Sequence, residues 1–166
     1  MKRSHWQKSA TLPSFGRLSR NVEVDVAIVG GGITGLSAAY LIKRKGKSVA
    51  VLERGRIASV DTAHTTGHLT YVTDARIGEL TSTLGEARTR ALWDAGAAAM
   101  DQIYTNVIAE GIDCEFRWVP GYLHVAAGGD EGAECEGLRE EARIVRELDF
   151  EATFMNSVPI AGRCGI

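Results

Sequence analysis

The sequence has no apolar run approaching the ~18 residues a membrane helix needs, so no membrane span is expected. It also lacks the apolar core of a secretory signal: Lys2, Arg3 and Lys8 open the chain with no such stretch among them. Cysteine is scarce, with Cys114, Cys135 and Cys164 scattered, odd in number and forming no C-x-x-C pair. That usage reads as reduced thiols acting as small buried hydrophobes in the cytoplasm. A formal charge of −2 provides no basic surface for nucleic acid. Internal repeats and low-complexity segments are absent as well. What remains is 166 residues of globular composition, one domain or one and a fraction.

The informative stretch is Val24–Glu53, VDVAIVGGGITGLSAAYLIKRKGKSVAVLE. Val24–Val29, interrupted by Asp25, has the length and β-branched content of a buried strand. Gly30, Gly31, Gly32 and then Gly35 follow, giving G-x-G-x-x-G, and Ala38, Ala39, Leu41 and Ile42 continue as helix until Gly46. A second strand, Ser48–Leu52, ends on Glu53, eighteen residues past Gly35. Each residue type has a job in a dinucleotide site. Gly30 permits the tight turn, Gly32 keeps side chains off a pyrophosphate, and Gly35 lets helix and strand approach. The helix start offers free N–H groups and partial positive charge, and Glu53 can accept from a ribose hydroxyl. With nineteen glycines in the chain the motif alone would say little. Strand, helix, second strand and terminal acid in register make it a β-α-β unit for an adenine dinucleotide, FAD or NAD.

Residues 1–21 hold five Lys or Arg and no acid, with Trp6, Leu12, Pro13, Phe15 and Leu18 among them. They read as an extended arm whose aromatics dock on the surface. Arg54–Thr73 reads as a long Thr-, Gly- and His-rich loop, of the kind that usually serves function. His64 and His68 stand four apart, but no HExxH frame or third ligand accompanies them, so no metal site is assigned. Arg76–Leu84 reads as a short helix closed by Gly85. Glu86–Glu110 reads as a long one with a core stripe of Leu92, Ala95, Ala99, Ile103 and Val107, stopped by Gly111. Ile112–Val119 and Tyr122–Ala127 read as two strands joined at Pro120-Gly121. Asp130–Leu148 reads as a helix burying Cys135, Leu138, Ala142, Val145 and Leu148, and Asp149–Val158 as the start of a further strand. Composition divides the chain into an arm (1–21), a cofactor unit with its loop (22–73) and a helical, partial second domain (74–166).

These residues carry a resemblance. The glycine motif, Ala39, Gly46, Glu53-Arg54-Gly55-Arg56 and Thr62-Ala63-His64-Thr65-Thr66-Gly67-His68-Leu69-Thr70 resemble FAD-dependent oxidoreductases of the D-amino-acid-oxidase superfamily. The Trp6–Phe15 arm, Gly111–Phe116 and Val119–His124 resemble a bacterial branch often fused to a Rieske domain. The resemblance implies a Rossmann-like α/β unit followed by helices and the start of a mixed substrate-domain sheet. It implies FAD as cofactor, with Gly30, Gly32 and Gly35 at the pyrophosphate and Gly31, Ile33 and Thr34 completing the loop. Glu53 would hold the adenosine ribose and Arg54 would lie near adenine. Thr62, Thr66, Gly67 and His68 would approach the phosphates and the flavin end.

The implied reaction is oxidation of a C–N bond in a small amine or amino acid. Family members are more than twice as long, and their later strand, completed substrate sheet and C-terminal glycine-rich loop have no counterpart here. No Rieske C-x-H…C-x-x-H pair occurs either. The chain therefore reads as an N-terminal, FAD-binding part, incomplete relative to the family, that would need a C-terminal half or a second copy. One alternative is a truncated or split non-enzymatic fragment that binds dinucleotide weakly or not at all. A weaker alternative is part of an NAD-binding dehydrogenase. His68, His124 and Tyr122 are left without a role, and no catalytic residue is named.

Overall fold

The computed structural model describes residues 4–126, 128 and 131–166. The chain divides into two units, residues 1–68 and 69–166. The first begins with a short helix α1 (His5–Ser9), closed at its start by reciprocal bonds between Ser4 and Gln7. The arm is thus partly helical rather than extended. Of its apolar side chains Trp6 docks, whereas Phe15 and Leu18 stand in solvent.

Strand β1 (Val26–Val29) and strand β2 (Val49–Leu52) form a two-stranded parallel sheet, in register from Val26 opposite Val49 to Val29 opposite Leu52. Asp25, which interrupts the apolar run, fixes that register. Its carboxylate accepts from both the N–H and the hydroxyl of Ser48, and its own N–H donates to the Ser48 hydroxyl. Parallel strands need a crossover, here helix α2 (Ile33–Arg44). Lys43 and Arg44 sit in its last turn against the carbonyl end of the dipole, and Gly46 turns the chain away at φ +80°. β1 is not the fully buried strand expected. Val26 and Ile28 are half-buried on one face, and Val29 is 87% exposed.

The second unit contains α3 (Ile77–Leu84), α4 (Glu86–Ala109) and α5 (Glu131–Glu147). Arg76 gives α3 no side-chain cap; instead Glu141 of α5 accepts from the N–H groups of Ile77 and Gly78. Gly85, at φ +80°, separates α3 from α4. The inward face of α4 differs from the expected stripe. Thr89 and Trp93 are buried while Leu92, Ala95 and Ala99 are exposed, and Ile103 and Val107 are half-buried. The rotation follows from Gly96, where an added Cβ would lie 2.8 Å from the Tyr71 Cβ. Tyr71 enters that notch and meets Trp93 edge to face, and Trp93 meets Phe150 the same way. Trp93 joins Ile77, Val145 and Leu148 in one buried cluster. The expected face of α5 holds, with Leu138, Ala142 and Val145 buried; Asp130, its expected first residue, lies outside the described residues.

No hairpin forms at Pro120-Gly121 among the described residues; Ala127 lies outside them. Glu115 takes φ +54°, which an extended strand cannot accommodate. Phe116 and Trp118 pack on Tyr104 of α4 instead of facing a partner strand. The 123–125 segment pairs with the 164–166 segment: Leu123 and Ile166 exchange both backbone bonds at 2.9 Å. On the other side Gly165 exchanges bonds with Met155, so 149–158 contributes one bridge rather than a strand. A Cβ at Gly165 would lie 2.6 Å from the Leu123 carbonyl oxygen, and the close threading requires glycine there. Cys135 and Cys164 form a disulfide beside Val125 and Leu138, and Cys114 is free and exposed. This corrects the reading of three reduced, buried thiols and removes the cysteine ground for a cytoplasmic setting. No described helix is long and apolar enough to cross a membrane.

Candidate cofactor site

The site grows from the turn between β1 and α2. Gly30 sits at φ +106°, open to glycine and strained for other residues, and its N–H donates to the Leu52 carbonyl at 2.9 Å. Gly35 is required for a different reason. An added Cβ would lie 2.0 Å from the Gly30 carbonyl oxygen, so only glycine lets the helix sit this close to the loop. Gly31 is buried beneath Ile57 and Glu53, where a Cβ would be tight at 3.0–3.1 Å. Gly32 differs from all three. A Cβ there would meet only the Thr62 hydroxyl, at an ordinary 3.5 Å.

The N–H groups of this turn fall into two sets. Gly30 donates to Leu52, Gly31 to the Glu53 carboxylate at 2.8 Å, and Ile33 to the Thr62 hydroxyl at 3.1 Å. Gly32, Thr34 and Gly35 have no acceptor among the described residues, as the first turn of a helix leaves them. Three free donors therefore gather at the positive end of α2 with no side-chain cap. That arrangement suits an anion.

Glu53 is held from two sides. One carboxylate oxygen accepts from Gly55 N–H at 2.7 Å and the other from Gly31 N–H at 2.8 Å. These two bonds, the Gly55 one foremost, hold its pKa below the ordinary 4.5 and keep it ionised. A cavity of about 170 Å³ lies between the glycine loop and residues 56–62, lined by Gly31, Gly32, Glu53, Arg56, Ser59 and Thr62 among others. Ala58, at φ +50°, donates its N–H to the Gly31 carbonyl at 2.8 Å and closes that wall.

The structure thus brings together Gly30 to Gly35, Glu53 and Thr62. Arg54 is exposed and does not line the cavity, whereas Arg56, Ser59 and Asp61 do. The signal for Arg56 was its place in Glu53-Arg54-Gly55-Arg56, but spacing alone favours neither arginine. Thr66, Gly67 and His68 do not line it either. Thr65 and Thr66 accept from the N–H groups of Gly67 and His68 in local turns. His64 and His68 do not share a helix face, because the 3-10 turn Asp61–His64 ends at Thr65, whose backbone is extended. His64 Nδ1 lies 2.7 Å from the Val60 carbonyl oxygen. Among the described residues no group of three or more His, Cys, Asp or Glu could hold a metal ion. His124 Nδ1 lies 2.9 Å from the Val125 carbonyl oxygen, and no catalytic acid or base emerges among the described residues. A larger cavity of about 310 Å³ in the second unit is lined by Thr81, Arg143 and Glu147. Its Arg143 is already paired with Glu140 and Glu147.

Residues 25–160 match the family model described as FAD dependent oxidoreductase. The chain is 32% identical over 157 residues to the putative Rieske 2Fe-2S iron-sulfur protein YhfW of Bacillus subtilis, covering 95% of this chain and 30% of that one. It is 31% identical over 144 residues to gamma-glutamylputrescine oxidoreductase of Escherichia coli, covering 87% and 33%. A probable oxidoreductase of Haemophilus influenzae, OrdL, is 30% identical over 112 residues, covering 68% and 26%. No solved structure matches. The chain spans about a third or less of each of these relatives. It belongs to the FAD-dependent oxidoreductases of the D-amino-acid-oxidase type.

Proposed function

From that membership we propose that residues 22–73 hold the adenosine-diphosphate part of FAD in a Rossmann-like unit. The enzyme it serves would oxidise the C–N bond of a small amine or amino acid. The observation that carries the reading is the open cradle at Gly32. Gly30, Gly31 and Gly35 are glycines for reasons internal to the protein, in backbone angle or packing. Nothing in the protein demands one at Gly32, where a Cβ would have room. A ligand seated on that backbone would demand it, and three free N–H groups stand there to meet a pyrophosphate.

The residues fit the cofactor in distinct roles. The N–H groups of Gly32, Thr34 and Gly35 would hold the phosphates. Gly30, Gly31 and Ile33 use theirs inside the protein and shape the loop. Glu53 oxygens each keep lone pairs for ribose hydroxyls after accepting one backbone N–H apiece. Arg54 and Arg56 would place positive charge toward the adenine and phosphate side. Thr62 fixes the loop, and Thr66, Gly67 and His68 would face the more distant part of the cofactor. When bound, the flavin would supply the redox chemistry, as the acceptor for oxidation of a C–N bond. The substrate class rests on the likeness to gamma-glutamylputrescine oxidoreductase, and the NAD alternative gives way to an FAD-dependent family.

A second reading has an observation of its own. Val29 and Leu52, the last residues of the two strands, are 87% and 43% exposed. That favours a chain that holds FAD weakly until a further segment or a second copy covers the strand ends. Equilibrium dialysis of the purified chain against FAD and against NAD tests the proposal. Retention of FAD at micromolar concentration with no comparable NAD uptake is the expected result, and uptake of neither overturns the binding role.

A further inference from the structure

We infer that Trp6, in the N-terminal arm, is a positioning residue for the cofactor site, acting as a clamp on the 61–68 loop. The inference rests on the FAD-binding reading above for its functional half only. Trp6 Nε1 donates to the Thr65 carbonyl at 2.7 Å across 59 residues of sequence. Its indole lies directly on Gly67: a Cβ built there would be 2.5 Å from Trp6 Cζ2 and 2.9 Å from Cη2. Gly67 also takes φ +74°. Two independent features, the backbone angle and the ring seated on the Cα, thus require glycine at one position. Helix α1 packs on the 3-10 turn Asp61–His64, and Ala63 of that turn, at 5% exposure, is the buried apolar side chain of the first unit among the described residues.

The same short loop reaches the glycine turn at its other end. Thr62 takes the Ile33 N–H at 3.1 Å, and its hydroxyl is the atom a Cβ built on Gly32 would meet, at 3.5 Å. By occupying Ile33, Thr62 determines which donors of the α2 start remain for a ligand. Thr62 and Thr65 are three residues apart, so a loop pinned at Thr65 and Gly67 has little freedom left at Thr62. Without the indole, the 65–68 segment keeps only local hydroxyl-to-backbone turns, which do not reach the glycine turn. Trp6 touches no proposed cofactor-binding atom of the glycine turn. It acts through Thr65, Gly67 and Thr62.

The full 166-residue chain carries the test, as wild type, Trp6→Ala, Trp6→Phe, Gly67→Ala and the Trp6→Ala/Gly67→Ala double variant. Hydrogen exchange of the cofactor-free protein is read at residues 61–68 and at Ile33. FAD affinity is read separately by dialysis, with far-UV circular dichroism as the fold control. Trp6→Ala should speed exchange at 61–68 and at Ile33 and weaken FAD binding roughly tenfold, the equivalent of about 1.4 kcal/mol. Trp6→Phe, which keeps a ring but loses the donor, should fall between. Gly67→Ala should speed exchange at 61–68 at least as much as Trp6→Ala, because it displaces the ring and also strains a backbone at φ +74°. The double variant should lose less than the sum of the two, because they share the ring contact. Unchanged exchange at 61–68 in Trp6→Ala with native helical signal overturns the clamp. Faster exchange with unchanged FAD affinity overturns the positioning role. If wild type takes up no FAD, the functional half falls with the FAD reading, and the exchange data still decide the clamp.

Discussion

At the scale of single residues, four glycines in one turn do four jobs, and only their surroundings tell them apart. Gly35→Ala forces a Cβ to 2.0 Å from a backbone oxygen, a contact that no side-chain rotation relieves. Overpacking of this kind costs about 3 kcal/mol, and urea unfolding of the first unit should show a loss of at least that size. Gly32→Ala should leave the unfolding free energy from urea within about 0.5 kcal/mol of wild type while abolishing FAD uptake. Glu53 gives a pH signature. Its folded pKa lies below the ordinary 4.5 because Gly55 and Gly31 donate to the carboxylate. Its stabilisation is therefore complete above about pH 4.5, the unfolded value, and is lost as pH falls through the depressed folded value. Glu53→Gln should flatten the part of the acid profile that Glu53 contributes, read by exchange at Gly31 between neutral and acid pH. Asp25, depressed chiefly by the Ser48 N–H, titrates in the same direction, so Asp25→Asn separates the two contributions.

At the scale of elements, α2, α3 and α4 were placed correctly because Gly46, Gly85 and Gly111 punctuate them in sequence, and α5 because Leu138, Ala142 and Val145 fall on one helical face. What it did not reveal was which face of α4 turns inward. Leu92, Ala95 and Ala99 outweigh Thr89, Trp93 and Gly96 on a hydropathy scale, yet a glycine notch for Tyr71 decides the rotation. The pairing of 123–125 with 164–166 was equally hidden, since its partners lie about forty residues apart and the Pro120-Gly121 turn points to a local hairpin instead. Glu141 at the start of α3 belongs to the same class of long-range contact. Glu141→Ala should cost about 1 kcal/mol, the usual worth of an N-terminal cap, seen as a lower melting temperature of the second unit. The disulfide joins residues 29 apart, for which chain entropy predicts about 3–4 kcal/mol. Reduction should destabilise the second unit by roughly that amount and leave exchange at the glycine turn unchanged.

At the scale of the molecule, the two units differ in what holds them. The second has two buried clusters, around Trp93 and around Leu138, besides a disulfide. In the first, Ala63 is the buried apolar side chain among the described residues and Val29 is exposed. Its order rests on backbone N–H groups donating to Asp25, Glu53 and Thr62 and on the Trp6 indole donating to Thr65. The first unit should therefore unfold at lower urea than the second. FAD at a hundredfold excess over its Kd should raise that first step by about 2.7 kcal/mol and leave the second in place. The cofactor family was legible in sequence because glycine turns and their terminal acid are local. The roles of Arg56 and Trp6 were not, because each depends on where a loop folds back.

The most direct measurement is a visible-absorbance titration of FAD into the wild-type chain and into Gly32→Ala, with circular dichroism on both. Bound-flavin absorbance in the wild type alone, with equal helical signal in the two proteins, is the predicted result. Equal flavin binding by the variant, or none by the wild type, would contradict a phosphate cradle built on the backbone of Gly32.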